Sequence, residues 1–583
     1  MRVVHKWKNV KKEGSGNGAF LLSSEREAFF ADGIDSRYKG FYFFKKDWFK
    51  TVHSIKTDKE VKSIANYFSH VEKLSSIRES YFLPLERKSL VYQTNKEHAC
   101  NLIIDCKKMF DNSDHGRHYS HEKNGKRLIV KYEKKEGDKY SLFIVISGFQ
   151  TFTQIEKWEK EEHSFDKRRN SHPWENYVYN FGRFFGDKLI ITSSSDKKEA
   201  IEENEFVVKN LDKLKQEKIN SLKLIKKKEI SQAAAYNSLL QLKGNDYFYA
   251  GFPWFLQYWS RDMLVSLGTL IKEEDFSTTK EILFTYLKQI TADGRLANRI
   301  PASELASADS IGWLWKRISD FLHALRGKKI VDKYVDSSEF KLIKEKLEKN
   351  IELLEKYHCE HGLLFSKAKE TWMDTTDIAG TDTRLGARIE MQAMLLKMYS
   401  LAHELTGKQI YQKKENDLKQ KVLSLFFTGK ILKDGALDAT QRPNIFIAHY
   451  IYPDLLGSNV WKIVFQNNLE RTWLEWGGLS SMSKQHPLFQ SFHTGEDNRS
   501  YHRGDSWFWI NNLAAISLIK VDKKYFSDYV KKIKKASEEE ILWHGFIGAH
   551  AEISSASKME SFGCWNQLWS NAMYLEFCDE LRK

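Results

Sequence analysis

Three stretches of the sequence set charged side chains among aromatic ones. Residues 250–270, "AGFPWFLQYWSRDMLVSLGTL", place Arg261 and Asp262 directly after Trp254, Phe255, Tyr258 and Trp259. Residues 369–390, "KETWMDTTDIAGTDTRLGARIE", set Asp374 behind Trp372 and Met373 and ahead of a helical run. Residues 548–570, "GAHAEISSASKMESFGCWNQLWS", hold Glu552 upstream of an aromatic helix start. Paired carboxylates from distant loops are what glycoside hydrolysis requires: a protonated one donates to the departing oxygen, and an ionised one handles water or the sugar carbon. An indole neighbour suits the acid, because a low-dielectric wall raises the pKa of a carboxyl that must stay protonated near neutrality. The chain is 14% aromatic with 17 Trp, and flat amphipathic rings grip ligands that have apolar faces and polar edges.

Each of these residues also has a structural role open to it. Arg261 and Asp262 can close on each other as a buried ion pair, since buried charges are rarely left alone. Asp374 can cap the helix that follows. Glu560 precedes the same closing helix as Glu552 and is the alternative to it. Tyr501, His502 and Arg503, in "YHRGDSWFWINN", can form a satisfied core cluster, and Trp565 and Trp569, at helical spacing, are read as packing.

The elements that must position these loops fall into two parts. At 583 residues the chain exceeds what one core serves, so at least two domains are expected. "RLIVKY" and "YSLFIVISGF" flank the turn-rich "EKKEGDK" as a hairpin, and "NLIIDC" and "DKLIITSSS" add similar runs; such strands at close spacing predict an antiparallel β-sandwich over 1–205. Near residue 200 the composition turns to Lys, Glu, Leu, Ile and Ala, a helical linker over 206–243. In "DSSEFKLIKEKLEKNIELLEKY", Phe340, Ile343, Leu347, Ile351 and Leu354 recur every three or four positions behind an Asp-Ser-Ser start. About 340 residues at ~25 to 30 per helix with its connection give roughly twelve helices. That number fits a toroid of six hairpins over 206–583; it also fits an α-solenoid, but no fixed-period repeat supports one.

Bulk properties narrow the partners. The formal charge is +14, yet the lysines are scattered and runs such as Lys226-Lys227-Lys228 stand beside acids, which reads as a solvated surface rather than a nucleic-acid stripe. Cys100, Cys106, Cys359, Cys564 and Cys578 are odd in number and lack metal-ligand spacing, so reduced thiols are expected. The N-terminus has no apolar core for export, and no stretch reaches the ~18 apolar residues of a membrane span. A cytoplasmic protein with neither nucleic-acid nor membrane partner is the expectation; oligomeric state is left open.

The motifs together resemble the glycogen debranching enzymes, specifically their amylo-α-1,6-glucosidase domain, which is related to the glucoamylases. "GFPWFLQYWSRDMLVSLGTL" is similar to that family's Trp-Gly-Arg-Asp segment, and "TWMD" with the later "RIEMQAM" to its Thr-Trp-Met-Asp and following Glu-Ile helix. "YHRGDSWFWINN" resembles its Tyr-His-Arg-Gly segment, and "AEISSASKMESFGCWNQLWS" its closing run. Upstream, "NGAFLL" and "GIDSRYKGFYFF" resemble the β-rich domain of shorter microbial members. The resemblance implies an N-terminal β-sandwich followed by an (α/α)6 barrel. It also implies an inverting hydrolase, needing neither metal nor organic cofactor, that removes α-1,6-linked glucose stubs from glycogen-like α-glucans. It makes Asp374 the general acid and Glu552 the general base, ~6.5 to 9.5 Å apart with water between. Arg261 and Asp262 would hold hydroxyls of the terminal glucose, with Trp254, Trp259, Trp372, Glu390, His502 and Arg503 around it. The alternatives are a glucoamylase-like enzyme cutting terminal α-1,4 bonds and a glucan-binding protein without turnover. Ser260 stands where the family has Gly, Trp507 is not followed by the family's Pro, and Ser554-Ser555 replaces a common Phe-Asp. No transferase domain of the barrel type is expected, so another enzyme would first shorten longer branches.

Overall fold

The structure is a computed structural model that describes residues 1–227, 229–303, 306–376, 380 and 384–583. Lys228 of the lysine run, and 377–379 and 381–383 of the 369–390 stretch, lie outside the described residues. The chain divides into two compact units, Met1–Asp246 with Glu539–His550, and Tyr247–Glu538 with Ala551–Lys583.

In the first unit, fifteen strands among the described residues join in one hydrogen-bonded network. The expected hairpin is present, with Leu128 opposite Ile146 and Tyr132 opposite Leu142. Along Arg127–Lys134, alternation sends Leu128, Val130 and Tyr132 into the main core with Phe30, Phe41, Leu102 and Phe181, as a period of two requires. The pairing departs from a purely antiparallel sandwich at one place: Arg2–His5 runs parallel to Ser63–Asn66. The long connection between those segments supplies the crossover that parallel strands need.

Among the described residues this unit has three α-helices, α1 (Ser164–Arg168), α2 (Lys197–Lys223) and α3 (Ile230–Gln241), and a π-helical turn over Glu540–His544. α2 starts on an Asp196 cap whose side chain accepts from Glu199 N. The sequence reads 206–243 as a helical linker after a β-domain ending at 205; α2 lays Val207, Leu211 and Leu214 against Phe82, Val91 and Ile190, and Ala200 against Ile129 and Val145. Those strand residues point away from the main core, and covering them removes apolar surface from water.

The second unit is helical: α4 (Ser260–Lys272), α5 (Phe276–Lys288), α6 (Ser310–Gly327), α7 (Val331–Tyr334), α8 (Ser337–His358), α9 (Ile389–Thr406), α10 (Gln409–Phe426), α11 (Asn444–Ile451), α12 (Ser458–Thr472), α13 (Phe508–Asp522), α14 (Ser527–Glu539, running into the unit boundary) and α15 (Leu568–Leu581). Helices α4, α6, α9, α11, α13 and α15 pack each on the next, and α15 returns to α4, a closed ring of six. α5, α8, α10 and α12 pack on the outside of ring members. Burial follows this division. α11 is buried throughout and α13 from Phe508 to Leu518, whereas α8 buries only the stripe Ile343, Leu347, Asn350, Ile351 and Leu354 behind its Asp336–Glu339 capping box, as a one-faced helix should. Within the ring, Arg317 of α6 donates to Glu576 of α15 at 3.0 Å; a Cβ on Gly268 of α4 would overlap both side chains. No helix among the described residues is long and apolar enough to cross a membrane.

Candidate active site

Short two-residue strands lead into several ring helices and place their first turns around one hollow. Tyr258–Trp259 enters α4, Ser506–Trp507 enters α13 and Asn566–Gln567 enters α15. Trp259, Trp507 and Gln567 are thus the N-cap residues of those helices. A cavity of about 260 Å³ opens there, and Trp259, Trp372, Trp507 and Trp569 wall it. Asp374 and Glu552, 178 positions apart in the sequence, both reach it, with Arg261, Asp262, Tyr501 and Gln567.

Glu552 is 2% exposed and firmly held. Its backbone joins two neighbours, donating to Cys564 O at 3.0 Å and accepting from Phe508 N at 3.2 Å. Its carboxylate accepts from the Tyr501 hydroxyl and from Cys564 N, the latter at 2.9 Å. Two donors on one carboxylate fix where its oxygens point. Gly563 makes the fit: at φ +65° it sits in the left-handed region, and a Cβ there would overlap Glu552 Oε2, a place only glycine fills without strain.

Asp374 is more open, with its side chain 26% exposed. His502 Nε2 lies 3.4 Å from its Oδ1 and Arg261 Nη1 3.8 Å from its Oδ2. Burial holds the His502 imidazole below its usual range, against the opposing pull of Asp374, so it is neutral near pH 7. Trp507 stacks on that ring at 4.9 Å and 7°. Trp372 stands edge-on to His502, Trp507 and Trp509, and its indole N–H donates to Asn444 Oδ1 at 2.7 Å.

Arg261 and Asp262 do not close on each other. Arg261 Nε donates to both oxygens of Asp309, the N-cap residue of α6, at 2.9 and 2.8 Å. Burial would lower the guanidinium pKa, but Asp309 and then Asp374 outweigh it and the net direction is up. Asp262 accepts from Gln567 Nε2 at 2.9 Å. Burial, with Glu552 adding to it and Arg261 opposing, pushes its carboxyl up to about 8, so this acid is protonated at neutral pH.

The other expected positions distribute as follows. Trp259 and Trp372 are in the cavity wall. His502 touches Asp374, and Arg503 Nη2 donates to Thr375 O at 3.0 Å, directly behind the wall. Trp254 packs on Trp565 at 5.6 Å. Glu390 lies in a buried charge cluster, accepting from Arg384 Nη2 at 2.8 Å, rather than on the cavity. Glu560 pairs with Lys558 at 3.1 Å with its side chain 30% exposed, so of the two acids in the closing stretch it is Glu552 that reaches the hollow. Trp569, read from its spacing as packing, stacks on Trp509 at 4.7 Å and also faces the cavity. Asp309 and Gln567 escape sequence reasoning: an Asp before a helix and a Gln inside an aromatic run carry no local signal of their partners.

A family model described as Amylo-alpha-1,6-glucosidase matches residues 219–576. Among solved structures, a bacterial glucoamylase complexed with acarbose is similar with a TM-score of 0.66 at 11% identity, covering 98% of this chain and 94% of its own. That likeness is one of fold. A GH63 mannosylglycerate hydrolase from Thermus thermophilus, solved with glucose, gives a TM-score of 0.45 at 13% identity over 60% of this chain and 99% of its own. No curated protein matches the chain. The family's span takes in α4 through most of α15, and with them every residue named above as lining the hollow, so the chain belongs to the amylo-alpha-1,6-glucosidase family and is a glycoside hydrolase.

Proposed function

We propose that this chain is an inverting α-glucosidase that removes single α-1,6-linked glucose stubs from glycogen-like α-glucans in the cytoplasm, with Asp374 as general acid and Glu552 as general base. The observation that carries the reading is the meeting of these two acids, from separate loops, on one indole-walled cavity. Glu552 is dressed as a base: its oxygens accept from the Tyr501 hydroxyl and Cys564 N–H, which orients its lone pairs toward the water from which it draws a proton. Asp374 supplies the proton to the departing oxygen. Arg261, held by Asp309, and Asp262, neutral and able to donate, grip sugar hydroxyls beside it. The indoles take the C–H faces of the ring, and the (α/α)6 barrel, inferred from the ring of six with outer helices, brings the loops together.

A second reading, a glucoamylase-like exo-α-1,4-glucosidase, is favoured by the likeness to glucoamylase over nearly the whole chain. Glucose release from a singly branched oligosaccharide and from linear maltooligosaccharides separates the two. Faster release from the branched substrate, with β-glucose as the first anomer seen by NMR, is expected. Faster release from the linear ones sinks the α-1,6 assignment, and binding without release from either leaves a glucan-binding protein. Asp374→Asn and Glu552→Gln are each expected to lower kcat by ~100-fold or more while leaving the melting temperature within a few degrees.

A further inference from the structure

The loop that carries Asp374 hangs on a buried group of charges that the proposed chemistry does not use. Asp434, 2% exposed, lies between α10 and α11. Its Oδ2 accepts from Arg384 Nε at 2.9 Å, and its Oδ1 from Asn444 Nδ2 at 2.6 Å. Arg388 Nη1 stands 3.2 Å and Arg442 Nε 3.4 Å from Oδ2. From this carboxylate two arms run to the loop. Asn444 accepts the indole N–H of Trp372 at 2.7 Å, and Arg384 Nη1 donates to Thr371 Oγ1 at 2.9 Å. Trp372 and Thr371 are the second and third residues upstream of Asp374, and Trp372 is itself part of the cavity wall.

The charges balance in kind. Arg384, Arg388 and Arg442 face Asp434, while Glu390 shares Arg384 Nη2 with it at 2.8 Å and Asp438 shares Arg388 Nη1 with it at 2.7 Å. Burial would raise the Asp434 carboxyl, but Arg384, Arg442 and Arg388 together hold it below the usual carboxylate range. Glu390 goes the other way, raised by burial against the pull of Arg384. A buried ion cluster adds little stability over well-packed apolar residues of the same volume. Its use lies in direction: Asn444 and Arg384 each have fixed geometry at both ends, so the loop residues they hold are fixed too.

We propose that Asp434 is a positioning residue for the acid loop, acting through Asn444 on Trp372 and through Arg384 on Thr371 to set where Asp374 points in the cavity. The inference rests on the reading of Asp374 as the general acid. Three variants test it. Asn444→Ala cuts one arm and leaves the guanidinium contacts of Asp434 in place; Asp434→Asn removes the charge; Asp434→Glu keeps it.

In Asn444→Ala, kcat is expected to fall ~10- to 100-fold with KM changed little, because a small misplacement of a reacting group is costly. The limb of the kcat pH profile that reports the acid should move as well, since the surroundings of Asp374 change. Asp434→Asn should lose more, and Asp434→Glu should recover part of the loss. Hydrogen exchange of the amides of 371–376 should quicken in Asn444→Ala while amides of α9 and α13 stay protected. A lower melting temperature with wild-type kcat, pH profile and exchange overturns the proposal. If Asp434→Asn does not fold, Asn444→Ala carries the test alone. If the wild-type protein releases glucose from no α-glucan, the hydrolase reading fails, and the exchange arm decides positioning: unchanged protection over 371–376 in folded Asn444→Ala rejects it.

Discussion

Asp262 differs from the two acids assigned to catalysis in what surrounds it. It is 5% exposed, its hydrogen-bond donor is the neutral Gln567 amide, and Glu552 is a nearby negative charge. Burial first and Glu552 second push its carboxyl up to about 8. Below that pH it is a neutral acid with a proton to donate; above it, a second negative charge enters the cavity beside Glu552. The pH profile of kcat/KM is therefore expected to fall above pH ~8, and Asp262→Asn, which cannot ionise, should lack that limb even though its level is lower. The same shift has a stability consequence. A carboxyl whose folded pKa is raised binds more protons folded than unfolded between its ordinary value and about 8, so stability is lost as pH rises through that window. Asp262→Asn should then melt higher than the wild type at pH 9, by differential scanning calorimetry. Equal melting temperatures at that pH would mean that the carboxyl ionises at its ordinary value.

At the level of elements, the site is made by helix beginnings. Trp259, Trp507 and Gln567 occupy the N-cap positions of α4, α13 and α15, and Asp309 that of α6, where unsatisfied N–H groups and the positive end of the helix dipole gather. The strand pair Ile553–Ser554 with Ser561–Phe562 closes this ring of beginnings and brings Glu552 against Gly563. Gly563→Ala must push the Glu552 carboxylate aside, so kcat should drop by up to ~100-fold with KM little changed and the circular dichroism spectrum intact; a wild-type kcat would show that Glu552 needs no such seat. The elements themselves are unequally legible in the sequence. α8 declares its stripe because one face meets the core and the other meets water. α11 and α13 have no stripe to read, being buried all round, and only their apolar content marks them. The stripe of α2 is plain, but a stripe does not say which surface will cover it, and the sheet does. Trp569 has helical spacing with Trp565 and so reads as core, yet a residue in the first turn of a ring helix can pack on Trp509 and face the hollow at once. The quoted motifs draw the eye to Arg261 and Asp262 because charges among rings at a helix start are expensive unless used, whereas Asp374 and Glu552 sit in loops and are singled out by the resemblance of their motifs rather than by local physics. Asp309, 48 positions from Arg261, cannot be found that way because pairing across the fold leaves no local trace.

At the scale of the whole molecule, each unit contains a buried histidine that should cost stability in acid. In the first, His5 is buried, its Nε2 2.8 Å from Leu542 O, and burial lowers its pKa to about 4 against the help of that carbonyl. In the second, His449 of α11 sits edge-on to Trp461 and Phe465 at 5.1 and 5.3 Å. Burial, with Lys520 adding to it, lowers its pKa to about 3. Both imidazoles are neutral in the folded chain, while in the unfolded chain they take up a proton near pH ~6.5. A base whose folded pKa is depressed contributes stability that is whole above the unfolded value and is lost as pH falls toward the folded one. At up to about 1.4 kcal/mol per pH unit for each such group, the two together should cost on the order of 5 kcal/mol between pH ~6.5 and ~4. His449→Phe keeps the ring among its aromatic neighbours and removes the titration, including an Nδ1 that has no hydrogen-bond partner among the described residues. The variant should therefore match or exceed the wild-type melting temperature at pH 7 and exceed it by a few degrees more at pH 5. Melting curves that fall in parallel with acid for variant and wild type would place the acid sensitivity elsewhere than in α11.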